Sequence, residues 1–243
     1  MSQRHVIVTG AANGIGAAIV RKCVEAGYHV IGCDIDQPGL EKLSASLPAG
    51  AFTYFEVDVG DIAALREFYK VTLEQFEDLY GLVNNAGIYH GKSVYKYSDD
   101  EIDRILDVNV KALIHLSKDF AATLTQANKQ GVIVNVSSVA GEIGSSDALY
   151  GLTKAAVIGL TKSNAMNFAP DVRVNAVSPA LIRETAILHK IPKYRLEEYE
   201  RQETLKEPIL PEGVADVVLF LLSNSSRHLT GKIVPVDNGA YPR

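Results

Sequence analysis

HVIVTGAANGIGAAIV, residues 5–20, runs from an apolar β-branched stretch through Gly10, Gly14 and Gly16 into a second apolar stretch rich in alanine. The first part reads as a buried strand and the last as a helix, with the glycines in the turn between them. Glycine permits a tight turn and lets backbone come close to a phosphate, while the following helix N-terminus favours negative charge. The spacing is TGxxxGxG rather than GxGxxG, yet the strand, turn and helix follow in the order that dinucleotide binding requires. Gly10, Asn13, Gly14, Ile15 and Gly16 are therefore candidate cofactor contacts.

The next strand, HVIGCD, ends at Asp34, twenty residues after Gly14. A carboxylate there accepts hydrogen bonds from an adenosine ribose and repels a 2′-phosphate. Neither Asn13 nor Ile35 is basic, so the expected cofactor is NAD rather than NADP. Asp36 competes for the same role, and a solvated strand end is the plain alternative for Asp34.

Outward from this turn, short apolar runs alternate with helix-length segments: AAIVRKCVEAG, HVIGCD, GLEKLSASL, TYFEVD, AALREFYKVTLEQF and GLVNNAG. A helical region from about Asp99 to Asn128 follows, then the strand GVIVNVSS, a helix around Tyr150, the strand VRVNAVSP, a helix near Gly213–Leu222 and the strand KIVPVD. Apolar strands separated by helices predict a doubly wound Rossmann-type α/β fold, a parallel sheet of about seven strands with helices on both faces. Leu181 to about Leu210 breaks the rhythm with Pro192, Pro208 and mixed charge. It reads as a lid over one sheet edge in a single domain spanning residues 1–243.

The formal charge of −5, without a basic run, argues against nucleic acid as a partner. No apolar segment approaches the roughly 18 residues of a membrane span, and MSQRHVIVTG carries no leader, so a cytoplasmic protein is expected. Cys23 and Cys33 read as small buried hydrophobes, consistent with a reducing compartment. The six histidines are scattered, and no metal site is expected.

ALYGLTKAAV, residues 148–157, adds the chemistry. Tyr150 and Lys154 lie four apart, on one face of a helix. A phenol with an ordinary pKa near about 10 is a poor proton carrier at neutral pH unless a positive neighbour favours its charged form. The same spacing also occurs on solvated helix faces, so the rest of the chain decides.

TGAANGIG, DV at Asp58–Val59, NNAG at Asn84–Gly87, VNV around Asn109, VNVSS ending at Ser138 and YGLTK together resemble the short-chain dehydrogenase/reductase family, in its compact form, over essentially the whole chain. The resemblance implies that Asp58 and Val59 hold the adenine edge. It implies that Asn85, Ala86 and Gly87 run beside the cofactor, with the Asn84–Gly87 turn also stabilising the central sheet. It assigns Asn109 to a helix kink holding a water that links the catalytic lysine to solvent. Ser138, rather than Ser137, would bind the substrate oxygen, because it precedes SVAG; Ser137 would shape the loop. Tyr150 would be the acid–base, its pKa lowered by Lys154 with help from an oxidised nicotinamide ring. Lys154 would also bind the nicotinamide ribose. Pro179, Ile182 and Thr185 complete the implied cofactor contacts.

Several positions depart from the family pattern. Ala180 replaces a glycine, and Thr185 falls one residue late. Twelve residues rather than thirteen separate Ser138 from Tyr150, which shortens the loop carrying Glu142–Asp147, and the C-terminal VDNGAYPR is atypical. Candidate pocket residues are Tyr89, His90, Glu142, Leu181 and His189. The lid charges Arg183, Lys190, Lys193, Arg195, Glu197, Glu198 and Glu200 read as a solvated mixed-charge face, with an anionic substrate held by the Lys and Arg as the lesser alternative.

The expected activity interconverts a secondary alcohol and a ketone by hydride transfer to or from NAD. The expected partners are a small alcohol or carbonyl substrate and further copies of this chain. Resemblance implies a homotetramer or homodimer, with Asp99–Asn128 and Asp147–Ala169 at an interface. A rival is an NAD(H)-sensing regulator of the same fold without turnover, which the intact Ser138, Tyr150 and Lys154 disfavour. A sugar-nucleotide epimerase or dehydratase is disfavoured because no room remains for a separate substrate domain.

Overall fold

The computed structural model describes residues 3–241 except 186 and 192. The chain runs β1 (His5–Thr9), α1 (Gly14–Glu25), β2 (His29–Asp34), α2 (Gln37–Ala45), β3 (Phe52–Glu56), α3 (Ile62–Gln75) and β4 (Leu79–Asn84). It continues through α4 (Asp99–Leu106), α5 (Ala112–Gln126), β5 (Gly131–Val136), α6 (Ala140–Ile143), α7 (Ala148–Asn167), β6 (Val172–Pro179), α8 (Lys193–Gln202), α9 (Pro211–Leu222) and β7 (Ile233–Val236). All strands are parallel in one seven-stranded sheet, in the order β3-β2-β1-β4-β5-β6-β7.

Every apolar residue of β1 is buried because helices cover both faces. Val6 and Val8 pack toward Ile19 and Val20 of α1 and Val214 and Leu221 of α9. Ile7 points the other way, among Phe68 of α3 and Leu116 and Phe120 of α5. That alternation is the period of two of a strand, applied to a run with no polar side. The expected helical region at Asp99–Asn128 is α4 and α5 joined without a break by a π-helical turn, Asp107–Lys111. A π turn inserts one residue and re-aims the side chains within it, here Asn109.

The expected excursion at Leu181–Leu210 holds a 3₁₀ turn, Leu188–Lys190, and α8, whose charges pair with one another: Arg195 with Glu198 at 2.8 Å and Lys193 with Glu197 at 3.9 Å. Pro192 lies outside the described residues. Cys23 and Cys33 are buried and unbridged, and burial pushes the Cys23 thiol up to about 12. No helix among the described residues is long and apolar enough to cross a membrane.

On the sheet end away from the glycine turn, His5 Nδ1 meets His29 Nδ1 at 3.1 Å, and His29 Nε2 meets Thr53 Oγ1 at 3.2 Å. Phe76 packs against both rings. Burial holds both imidazoles below 6.5, with Asp78 partly offsetting this at His5 and His5 adding to it at His29. The fold therefore prefers them neutral, and this contribution is complete above pH 6.5 and is lost as pH falls below it. Thermal unfolding from pH 7.5 to 5 checks this: His29→Gln should lose less stability on acidification than the parent chain does.

Candidate active site

β1 and β4 are neighbours whose connections leave in opposite directions, so their carboxyl ends open a crevice at the switch point. A cleft of about 450 Å³ occupies it. Gly10, with φ of +66°, and Gly16 build its floor. A Cβ on Gly16 would fall 1.8 Å from the Gly10 carbonyl oxygen, so the turn closes only with glycine there. Asn13 is the N-cap of α1, but its amide donates to Asp36 at 2.6 Å and caps no backbone group of that helix. The rim of α1 at Gly14, Ile15 and Gly16 thus faces the cleft without a side-chain cap.

Asp34 lies at the outer end. Its Oδ2 accepts from Ala12 N–H and its Oδ1 from Asp36 N–H, each at 3.0 Å. Asp36 is occupied elsewhere, capping α2 through Gly39 N–H. Asp58 and Val59 line the same end. Asp58 accepts from Arg104 at 2.9 Å and from Gly60 N–H at 2.9 Å. Burial raises its carboxyl, but Arg104 and the Gly60 amide outweigh this and leave it below the ordinary range. Arg104, from α4, was not legible beforehand: it reaches Asp58 across 46 residues of sequence.

Asn85, Ala86 and Gly87 form one wall of the cleft, and Pro179, Ile182 and Thr185 the opposite one. Ala180, in place of the family's glycine, donates its N–H to Val236 at 3.0 Å, extending the sheet edge.

The inner end brings together Ser138, Tyr150 and Lys154. Ser138 Oγ accepts from Ala140 N–H at 3.1 Å, which fixes it at the end of β5, and lies 3.3 Å from the Pro179 carbonyl. Its hydroxyl also hydrogen-bonds Tyr150. Ser137 donates to the Lys154 carbonyl at 2.8 Å, so it shapes the loop. Lys154 is buried; its Nζ donates to the Val136 carbonyl at 2.8 Å and stands 5.6 Å from the centre of the Tyr150 ring. Burial pushes Tyr150 up to about 12 despite the Ser138 hydrogen bond, and pushes Lys154 down to about 8. In the protein alone, desolvation thus dominates the phenol, and the lysine does not bring it down.

Asn109 is placed outside the cleft. Within the π turn, its Oδ1 accepts from Ile88 N–H at 2.8 Å and its amide donates to Ile88 O at 3.0 Å and Thr153 Oγ1 at 3.1 Å. It borders a cavity of about 10 Å³ shared with Lys154, Asn84 and Thr9, the volume of about one water.

Two proposed pocket residues are not there. Glu142 turns away to accept from the buried Ser178 at 2.5 Å, and His90 packs edge-on against Tyr97. Neither lines the cleft, because α6 and the Gly91 turn aim them outward. Tyr89 and Leu181 do line it. The side chain of His189 lies outside the described residues.

Asp147 is the residue that sequence reasoning passed over. It is 1% exposed and caps α7 through Tyr150 N–H at 3.1 Å. It also accepts from Gly91 N–H at 2.9 Å, Lys92 N–H at 3.3 Å and Tyr97 OH at 2.8 Å. One carboxylate thereby ties the loop after β4 to the first turn of the helix carrying Tyr150. Its sequence signal was an Asp three residues before Tyr150, the N-cap spacing.

A family model described as enoyl-(acyl carrier protein) reductase matches residues 10–241. Meso-2,3-butanediol dehydrogenase of Serratia marcescens is 33% identical, covering 97% of this chain and 93% of the relative. 3alpha-Hydroxysteroid dehydrogenase of Mediterraneibacter gnavus is 34% identical over 99% and 98%. Among solved structures, 4-hydroxyisoleucine dehydrogenase complexed with NADH superimposes with a TM-score of 0.91 at 29% identity, covering 99% of this chain and all of the other. A doubly wound sheet with its cleft at the switch point is a dinucleotide-binding architecture. The chain belongs to the short-chain dehydrogenase/reductase family of oxidoreductases.

Removing Asp147 strands buried donors at a cost of about 2–5 kcal/mol. Asp147→Ala should lower the melting temperature markedly, and Asp147→Asn, which keeps an acceptor oxygen, by less; calorimetry checks both. Lys154 supplies an opposite test. Its charged form is disfavoured in the fold, at a cost of about 3 kcal/mol at pH 7 given the shift from 10.5 to about 8. That cost is full below pH 8 and gone above 10.5. Lys154→Met should therefore melt higher than the parent at pH 7, with the gap closing toward pH 10.

Proposed function

We propose that the protein is an NAD-dependent enzyme that interconverts a secondary alcohol and a ketone, with Tyr150 as its acid–base. The observation that carries this reading is the convergence of Ser138, Tyr150 and the buried Lys154 at the inner end of a cleft whose outer end carries Asp34.

The chain's own residues suit a dinucleotide. The glycine turn, which closes only without a Cβ at Gly16, brings bare backbone and the uncapped N-terminus of α1 to the cleft, where a phosphate would be favoured. Asp34, with no basic residue at position 13 or 35 and with Arg104 already paired to Asp58, favours a free ribose 2′-hydroxyl over a 2′-phosphate. A bound nicotinamide supplies the hydride acceptor or donor.

In ketone reduction, Tyr150 gives its proton to the carbonyl oxygen while Ser138 donates a hydrogen bond to the same atom. The phenol, with a pKa raised to about 12, is already protonated at neutral pH, so it is ready for this step. In alcohol oxidation, Tyr150 takes the hydroxyl proton, and positive charge must first offset the effect of burial. Lys154 supplies that charge below its value of about 8. The small cavity beside Asn109 and Lys154 can hold one water, which would hydrogen-bond both the Lys154 ammonium and the Asn109 side chain. Oxidation should accordingly quicken with rising pH up to about 8 and fall off as Lys154 gives up its charge above that, whereas reduction holds steady until Tyr150 deprotonates.

The test is reduced-nicotinamide absorbance across a panel of secondary alcohols, with NADH binding followed by fluorescence. Tyr150→Phe should bind NADH as the parent does and lose turnover by about 10²–10⁴-fold. Asp34→Asn should raise NADP use relative to NAD by about tenfold. NADH binding with no turnover of any alcohol or ketone would instead identify a cofactor sensor of the same fold.

A further inference from the structure

The substrate end of the cleft lies between the loop after β4, α6 and the lid. Its wall is made by Tyr89, Ile143, Ile187, Leu188, Ile191 and Tyr199. Tyr89 meets the Tyr150 ring edge to face at 5.0 Å, so this wall stands directly against the reacting oxygen. Of the acidic and basic side chains on the cleft, Asp34, Asp58 and Arg104 belong to its outer end, and Arg104 is tied to Asp58. At the inner end, Lys154 is the one such side chain among the described residues.

The nearby cations of the lid are engaged elsewhere. Arg183 pairs with Glu200 at 2.5 Å and Arg195 with Glu198 at 2.8 Å, while Lys190 donates to the Tyr89 carbonyl at 2.9 Å. None of them lines the cleft. Behind the wall stands a carboxylate, Asp147, which acts electrostatically on both Tyr89 and Tyr150. A carboxylate or phosphate placed there would lose its water and face the field of Asp147, and the one cation at this end, Lys154, is buried with its Nζ bonded to the Val136 carbonyl. A cationic group would meet Lys154 and an apolar wall. Uncharged carbon, by contrast, gains from every contact, and the hydroxyls of Tyr89 and Tyr199, which have no partner among the described residues, remain available to a neutral oxygen.

We infer that the substrate is an uncharged, largely apolar secondary alcohol or its ketone, selected by this aromatic and aliphatic wall against carboxylate, phosphate and ammonium analogues. The inference rests on reading the cleft as the site of alcohol–ketone interconversion, but its test is a binding measurement.

The wild-type protein with NADH bound is titrated with pentan-2-one, with levulinate and with the 4-oxopentyl trimethylammonium ion, following NADH fluorescence. The expected result is binding of the neutral ketone about tenfold or more tighter than either charged counterpart. Ile143→Arg, at an exposed wall position, should bring levulinate binding up by about tenfold while leaving NADH binding unchanged. Levulinate or the ammonium ion binding as tightly as pentan-2-one overturns the inference, as does binding of none of the three. If the neutral ketone binds with the expected preference yet NADH is never oxidised, the selectivity of the wall for uncharged ligands stands and the oxidoreductase reading, with the substrate role, fails.

Discussion

Where β1 and β4 part to open the cleft, four backbone groups lose the ladder partners they would have had in a continuing sheet. The Thr9 hydroxyl accepts from Asn85 and Ala86 N–H, each at 3.1 Å, and the Asn85 amide donates to the Thr9 and Gly10 carbonyls at 3.0 and 2.9 Å. This stitch lets two buried strands diverge without unsatisfied polar groups. The glycine turn then lies flat against Ala86, whose Cα is 2.8 Å from where a Gly10 Cβ would be. Both the glycine end of the cleft and its Asn85–Gly87 wall depend on it.

The second requirement is that α7 be held along its length, because it carries both Tyr150 and Lys154. Asp147 fixes its first turn, Asn109 bonds Thr153, Ser137 holds the Lys154 carbonyl, and Asn135 reaches Thr161 at 2.9 Å. Asn135 is in turn joined to Asn84 at 2.9 Å, and Asn84 to Ser117 of α5. A continuous buried polar chain therefore runs from the central strands into the helix. Such a network, fully satisfied, positions side chains more rigidly than apolar packing does. It also explains how the fold tolerates a buried ammonium and a buried phenol whose own environment opposes their charged forms.

Stability and chemistry pull in different directions at this point. Lys154 lowers the stability of the fold through desolvation, and Tyr150 is kept far from its charged form by the same burial. Buried ionisable residues whose surroundings oppose their charged forms, at the centre of a cleft, are the pattern of a site shaped for reaction rather than for packing.

The sequence alone determined the order of strands and helices, the doubly wound class, the glycine turn, Asp34 at its strand end and the Tyr150–Lys154 pair. These are recorded between chain neighbours, in apolar periodicity, β-branching and spacings within a turn or two of helix. The tertiary structure decided what depends on distant partners. Arg104 on Asp58, Thr9 on the Asn85 turn and Tyr97 on Asp147 join residues 46 to 76 positions apart. Glu142 reads from its loop as a pocket residue, but the fold gives it Ser178 instead. The direction of the Tyr150 shift was likewise invisible, because a four-residue spacing reports that a charge is near and says nothing of how much water has been removed. Local spacing fixes which groups can meet; burial, a property of the whole assembled chain, sets the energy of the meeting.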